Sequence, residues 1–86
     1  MISMSEWSDL VAIVVNANPR PLRHVLIRMV ANRVELHATV FGLEVIAWWT
    51  EREMSKWKTP HRIVDAIQNR VQKAVNYCRY LTTEKS

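Results

Sequence analysis

The chain has 86 residues, of which 49% are apolar, and a net charge of +4 at neutral pH. This length predicts a single domain, residues 1–86, with a modest core, and the apolar content excludes intrinsic disorder. Charged residues interrupt every long apolar run, so the composition excludes a membrane-spanning helix and we expect no membrane partner.

The termini and the single cysteine bear on localisation. No basic residue precedes the first apolar run, so we expect no signal peptide. One cysteine excludes an internal disulfide and suits a reducing compartment, which predicts a cytoplasmic (intracellular) protein.

The scarcity of glycine guides the prediction of fold class. Only Gly42 is present, whereas the turns of sheet proteins generally use several glycine or asparagine residues. We therefore predict an all-α fold, a small bundle of about four helices. The alternative is an α+β fold with a hairpin at residues 33–50.

Two helices are predicted in the first third of the chain. Ser5 is a plausible N-cap for the first, and Asn16 to Pro19 end it. Pro21 suits the first position of the second. Apolar residues recur at helical spacing in both segments; they are Trp7, Leu10, Val11, Val14 and Val15 in the first, and Leu22, Val25, Leu26, Met29 and Val30 in the second.

The segment from Arg33 to Thr50 fits two structures. As a hairpin with a turn at Phe41-Gly42, it pairs apolar residues throughout; the pairs are Val40 with Leu43, Ala38 with Val45, Leu36 with Ala47, and Val34 with Trp49. As helices, Gly42 becomes a C-cap and a third helix runs from Leu43 to Lys58. The helical propensity of TEREMSKWK and the scarcity of glycine favour helices.

Residues 37–52, HATVFGLEVIAWWTER, resemble the helix-turn-helix pattern of bacterial and phage regulators. Ala38 and Gly42 stand four apart, and Leu43 follows the turn glycine. The resemblance implies a recognition helix in a DNA groove. The segment departs from the pattern at Trp48, where a smaller aliphatic is usual. The would-be recognition helix also carries Glu44 and Glu51 and has no basic residue before Arg52.

The terminal segment from Thr59 to Leu81 predicts a long helix, with Thr59 as its N-cap and Pro60 at its first position. Apolar residues recur along one face; this predicted seam comprises Val64, Ile67, Val71, Ala74, Cys78 and Leu81. At about 1.5 Å per residue the helix is roughly 35 Å long, so we expect it to pack on other helices and on a second copy of the chain.

The opposite face of this helix is basic and polar, and the charge of residues 19–34 is also positive. Arginine and lysine neutralise phosphates, amides donate hydrogen bonds, and tyrosine stacks on unpaired bases. Two basic patches therefore indicate a nucleic-acid partner, DNA or RNA, with an ordinary solvated helix face as the alternative. The predicted nucleic-acid-binding residues are Arg23, Arg28, Arg62, Asn69, Arg70, Lys73, Arg79 and Tyr80.

Signatures of catalysis are missing from the sequence. One glycine cannot form a phosphate loop, and the three histidines and Cys78 are too scattered for a zinc site. We therefore predict a non-enzymatic protein without cofactor or metal, in which Cys78 is a small buried hydrophobe.

The leading functional prediction is a small nucleic-acid-binding protein, such as a phage, viral or plasmid regulator, acting as a homodimer. The runner-up is a protein-interaction module, an inhibitor or assembly subunit, that meets a protein partner through tryptophans and basic patches. The predicted protein-interface residues are Trp48, Trp49, Val64, Ile67, Val71 and Cys78.

Overall fold

Three antiparallel strands form the middle of the chain, and helices precede and follow them. A computed structural model describes residues 3–17 and 21–84, apart from the side chain of Glu84. The elements in chain order are α1 (Met4–Ala17), β1 (Leu22–Val30), β2 (Arg33–Val40), β3 (Leu43–Thr50), α2 (Glu51–Met54) and α3 (Pro60–Glu84). The fold is α+β, so the predicted all-α bundle is wrong and the hairpin alternative is correct.

The β2–β3 hairpin has the register that its apolar alternation indicates. Val40 pairs with Leu43, and Val34 pairs with Trp49 at the other end. The predicted third helix is therefore wrong from Leu43 to Thr50, and only Glu51–Met54 is helical. Thr50 ends the strand and caps α2 by accepting a hydrogen bond from the Glu53 amide at 3.2 Å. The resemblance of residues 37–52 to a helix-turn-helix is overturned as well, because this segment is mostly strand.

The two tight turns explain why the count of glycines was misleading. Each hairpin needs only two turn residues, and non-glycine residues take the left-handed backbone conformation in both. Phe41 has φ of 51° beside Gly42 at 82°, and Ala31 has φ of 53° in the β1–β2 turn. Left-handed backbone costs an ordinary residue roughly 1–2 kcal/mol. Pairing of the strands outweighs this local strain.

Strand β1 replaces the predicted second helix, and an irregularity in the strand explains the error. Arg23 pairs with Thr39, but the next pair joins Leu26 to His37, so β1 contains one extra residue. The bulge lies at His24, whose φ is 54°. An extra residue interrupts the period of two, so the apolar residues on either side of it fall at a spacing that resembles a helix.

Helices α1 and α3 cover one face of the sheet, and the core lies between them and that face. Fully buried tryptophans, Trp7 from α1 and Trp49 from β3, are its largest members. The core residues are Trp7, Val11, Val14, Val34, Leu36, Ala47, Trp49, Met54, Ile63, Ile67 and Val71, continued at one end by Val40, Val75 and Cys78.

Helix α1 forms as predicted, but its N-cap is Ser3, two residues before the predicted Ser5. Ser3 and Glu6 make a reciprocal capping box, with each backbone amide 3.2 Å from the other side chain. Ser5 is therefore not the N-cap. Ile13 points to solvent and is 60% exposed, so α1 is covered on one side only. The predicted helix-ending residues Asn18 and Pro19 lie outside the described residues.

Helix α3 also forms as predicted, but its buried face is rotated slightly from the predicted seam. Ile63 and Val75 are buried, whereas Val64 and Ala74 are only partly buried. Ile67, Val71 and Cys78 belong both to the predicted seam and to the buried face that the structure shows. Each of the two additional buried residues is a sequence neighbour of a predicted one, Ile63 of Val64 and Val75 of Ala74, so the buried face differs from the prediction by a small rotation about the helix axis.

Candidate nucleic-acid interface

A groove lies between the first half of α3 and the segment that joins β3 to it. Its volume is about 580 Å³. Trp49 and Trp57 supply its aromatic part, and α3 supplies its basic and polar part. The lining residues are Trp49, Glu53, Trp57, His61, Arg62, Asp65, Ala66, Asn69, Arg70 and Lys73.

The start of α3 fixes the position of Arg62 beside this groove. The Thr59 hydroxyl accepts a hydrogen bond from the Arg62 amide at 3.4 Å, and Pro60 occupies the first helical position. The predicted cap is thus confirmed. Ala66 follows Arg62 by four residues, and Lys73 follows Ala66 by seven. At these spacings the three side chains lie on one side of the helix.

Arg70 links α3 to the edge of the sheet. Its Nη1 donates a hydrogen bond to the Trp48 carbonyl oxygen at 2.7 Å, and its Nη2 donates to Glu53 Oε2 at 2.7 Å. Its guanidinium carbon also lies 5.9 Å from the centre of the Trp49 ring. These contacts compensate the charge of Arg70, which therefore has a structural role here in addition to its predicted contact with nucleic acid.

Arg62 and Lys73 are the exposed cations of the groove. Within residues 3–17 and 21–84, neither forms an ion pair. Asn69 is exposed between them. Asp65 opposes their charge, but its carboxylate lies 3.5 Å from His61 Nε2 at the same helix end. The groove therefore offers two available cations and an amide on one line.

The second half of α3 carries the other predicted residues. Tyr80 is exposed beside a second cavity of about 520 Å³, which Asn76, Arg79 and Thr83 also line. The guanidinium of Arg79 lies 5.9 Å from the centre of the Phe41 ring in the β2–β3 turn. This contact leaves the charge of Arg79 without a compensating carboxylate among the described ion pairs.

Arg23 and Arg28 lie on β1 and not on α3. Their strand partners are Thr39 and Glu35. Partners in a ladder share a face, and that face is the one opposite the helices. The two predicted basic patches therefore lie on different elements, one on the uncovered face of the sheet and the other on α3.

The predicted protein-interface residues are also divided. Trp48 is 42% exposed and Trp49 is 1% exposed, because successive strand residues point to opposite faces. Ile67, Val71 and Cys78 are buried in the core of the same chain. Burial raises the pKa of the Cys78 thiol, so this side chain stays protonated and packs as a small hydrophobe. Sheet and α1 already cover this face of α3.

Glu35 forms a buried ionic cluster that the sequence did not predict. The residue is 7% exposed, although it lies on the uncovered face of the sheet. Arg33 Nη2 lies 2.6 Å from Glu35 Oε2, and His37 Nε2 lies 2.9 Å from Oε1. The hydrogen bond with His37 contributes most to a lowered pKa of Glu35, burial opposes it, and Arg33 assists it.

This cluster predicts that stability depends on pH. A carboxyl group with a lowered folded-state pKa stabilises the fold above its unfolded pKa, and the contribution is lost as pH falls through the folded value. The stability gap between wild type and Glu35→Gln should therefore shrink as pH falls below the usual value of 4.5. Urea denaturation at a series of pH values measures this difference in the free energy of unfolding. Glu44→Gln, at an exposed position, is the control. A gap that does not change with pH would contradict the prediction.

Sequence reasoning missed two aromatic residues, Trp57 in the groove and Tyr77 elsewhere on α3. Trp57, flanked by Lys56 and Lys58, lines the groove from the loop before α3. The alternation of lysine with an aromatic residue was a usable signal, but it was assigned to the end of a helix. Tyr77, an exposed aromatic residue on α3, was also missed.

Within residues 3–17 and 21–84, no three histidine, cysteine, aspartate or glutamate residues are placed to hold a metal ion. The helices of this part of the chain are all too short or too polar to cross a membrane.

Comparison with models of known protein families, with curated proteins and with solved structures found no match.

Proposed function

We propose that this protein binds nucleic acid through the groove side of α3. The observation that carries the proposal is the line of Arg62, Asn69 and Lys73 beside Trp57. The two cations are exposed and form no ion pair within the described part of the chain. Exposed arginine and lysine side chains without an ion-pair partner are available to neutralise phosphates.

The spacing of the cations suits a strand of nucleic acid. Arg62 and Lys73 are eleven residues apart, which is about 16 Å along a helix. This distance corresponds to about five nucleotides at 3.4 Å per step. Two phosphates on one backbone are then within reach of the two side chains, and Asn69 lies between them to donate to phosphate or to a base edge.

The charge around the groove supports the same proposal. Lys56 and Lys58 are exposed on the loop that precedes α3. Of the nearby acids, Glu53 is paired with Arg70, and Asp65 lies 3.5 Å from His61. The groove side therefore has an excess of positive charge that accelerates association with a polyanion.

Binding to duplex DNA, duplex RNA and single strands should be measured by fluorescence anisotropy between about 50 and 200 mM salt. Affinity should fall steeply as salt rises. Lys73→Ala and Arg62→Ala should each reduce the slope of log affinity against log salt by about 1. Arg28→Ala removes the same charge from the opposite face, so it should leave the slope unchanged.

Two results would contradict the proposal. One is the absence of binding to all three nucleic acids at the lowest salt. The other is an equal change of slope in Arg28→Ala and Lys73→Ala, since that result would reflect total charge and not a surface on α3.

A second candidate function is a protein-interaction module, and the exposed apolar face of the sheet favours it. Leu26, Ile46 and Trp48 lie on that face and are 53%, 52% and 42% exposed. An exposed tryptophan among aliphatic residues is typical of interface anchors.

A further inference from the structure

The face of the sheet opposite the helices forms a regular grid of side chains, here called the open face. Each row crosses β1, β2 and β3 in that order. The four rows are Val30–Arg33–Thr50, Arg28–Glu35–Trp48, Leu26–His37–Ile46 and Arg23–Thr39–Glu44.

Apolar side chains remain uncovered on the open face. Leu26, Ile46 and Trp48 are each more than two-fifths exposed, and none of them packs against the described hydrophobic core. Two of the three lie in one row, and the third lies in the next row. A contiguous apolar patch of this kind is typical of an interaction surface.

The charges of the open face are distributed unequally between its two sides. The β1 side carries Arg23 and Arg28, and the β3 side carries Glu44 and the electron-rich ring of Trp48. The cation at each end of β1 therefore stands in the same row as a group on β3 that attracts cations. Such a face is complementary to itself when one copy is turned over.

The complementarity follows from simple geometry. Two sheets that meet face to face about a two-fold axis parallel to their strands bring β1 of one protomer over β3 of its partner. Arg23 then lies opposite the partner's Glu44, Leu26 opposite the partner's Ile46, and Arg28 opposite the partner's Trp48. These three of the four rows pair favourable groups, and each pair occurs twice.

The central strand meets itself in this arrangement, so Arg33, Glu35 and His37 each face their own copies. Each Glu35 is already bonded to Arg33 at 2.6 Å and to His37 at 2.9 Å within its protomer. The guanidinium of Arg33 also lies 5.4 Å from the centre of the Trp48 ring. Because these charges are compensated inside each protomer, little repulsion opposes the contact.

Contact through the strand edges is less favourable than contact through the open face. At the β3 edge, Arg70 already occupies the Trp48 carbonyl oxygen that an added strand would need. At the β1 edge, the bulge at His24 disturbs the ladder. Bulges and charged side chains are the usual means by which edge strands avoid pairing.

We propose that the open face is a self-association surface, which a second copy of this chain covers to form a two-sheet sandwich. Three strands of eight residues span about 14 by 26 Å, or roughly 370 Å² per protomer. The two protomers together would bury twice this area, which is less than the roughly 1,200–2,000 Å² that stable complexes bury. The dimer therefore forms at high protein concentration and dissociates on dilution.

Sedimentation velocity over a range of protein concentrations tests the proposal. The wild type should shift from monomer to dimer as concentration rises. Ile46→Glu places a charge opposite the partner's Leu26 and should abolish the shift. Ile13→Glu is the matched control, because Ile13 is similarly exposed but lies on α1, and it should dimerise like the wild type.

A charge exchange tests the orientation of the two copies. Arg23→Glu alone and Glu44→Arg alone should each weaken the dimer, since each opposes like charges in one row. The double variant restores opposite charges in both copies of that row, so it should recover the wild-type association. Circular dichroism confirms that each variant is folded.

Several results would overturn the proposal. They include a wild-type monomer at all concentrations, a dimer that survives Ile46→Glu, and a double variant no stronger than the single ones. A labelled single-stranded oligonucleotide that loses affinity in Trp48→Ala would assign the open face to nucleic acid instead. The sedimentation results leave the salt-dependence test of α3 unaffected, because that test measures binding of nucleic acid and not association of the chain.

Discussion

Trp49→Ala is expected to lower the free energy of unfolding by about 3–5 kcal/mol, the cost of removing a large aromatic side chain from a core. Trp49 is 1% exposed and packs with α1, α2 and α3. Trp48→Ala should cost only about 1 kcal/mol, because Trp48 is 42% exposed and its main described contact is with Arg33. Urea denaturation followed by circular dichroism measures both values.

This pair of variants tests the central structural assignment. Two adjacent tryptophans differ this strongly only if they point to opposite faces of a strand, one toward the helices and one away. Equal losses would indicate that both side chains are buried to a similar extent and would contradict the register of β3. The measurement should use dilute protein, so that association through Trp48 does not contribute.

Ile67→Ala is expected to lower the free energy of unfolding by about 2–5 kcal/mol. Ile67 is fully buried at the centre of α3 and belongs to the main core. The loss is large for a small domain, whose total stability is about 5–15 kcal/mol. Thermal and urea unfolding should both show it.

Ile13→Ala is the control for this second prediction, because it removes the same atoms from a helix position that is 60% exposed. Its effect should stay within about 0.5 kcal/mol. A large loss at Ile13 would mean that an interface covers this face of α1. A small loss at Ile67 would contradict the packing of α3 on the sheet.

The two proposed surfaces meet at the β3 edge. Ile46 and Trp48 of the open face line a cavity of about 300 Å³ together with Arg70 and Lys73 of α3. A second copy on the open face and a nucleic acid on α3 would therefore come close to each other at this edge.

Local signals in the sequence were sufficient for the two long helices. Thr59 and Pro60 predicted the start of α3, and Ile67, Val71 and Cys78 predicted its buried side. Caps and helical periodicity depend on residues close in sequence, so they can be identified without the rest of the fold. The alternation from Val34 to Trp49 likewise contained the register of the β2–β3 hairpin.

Other features depended on partners distant in sequence. The LRHVLIRMV segment has an apolar spacing that fits a helix, and only pairing with β2, with its bulge at His24, makes it a strand. The left-handed backbone of Ala31 and Phe41 is strained locally, and the sheet outweighs that strain.

The sequence by itself determined the N-cap of α3, the helical period of α1 and α3, the apolar pairing of β2 with β3, and the presence of two basic patches. Only the tertiary structure decided where those patches lie, which tryptophan is buried, and that Arg70 is bonded to the Trp48 carbonyl oxygen and to Glu53. The physical reason is the distance in sequence between the residues that interact. Caps and periodicity arise from residues a few positions apart, whereas the face of a sheet that helices cover is fixed only when the whole chain packs.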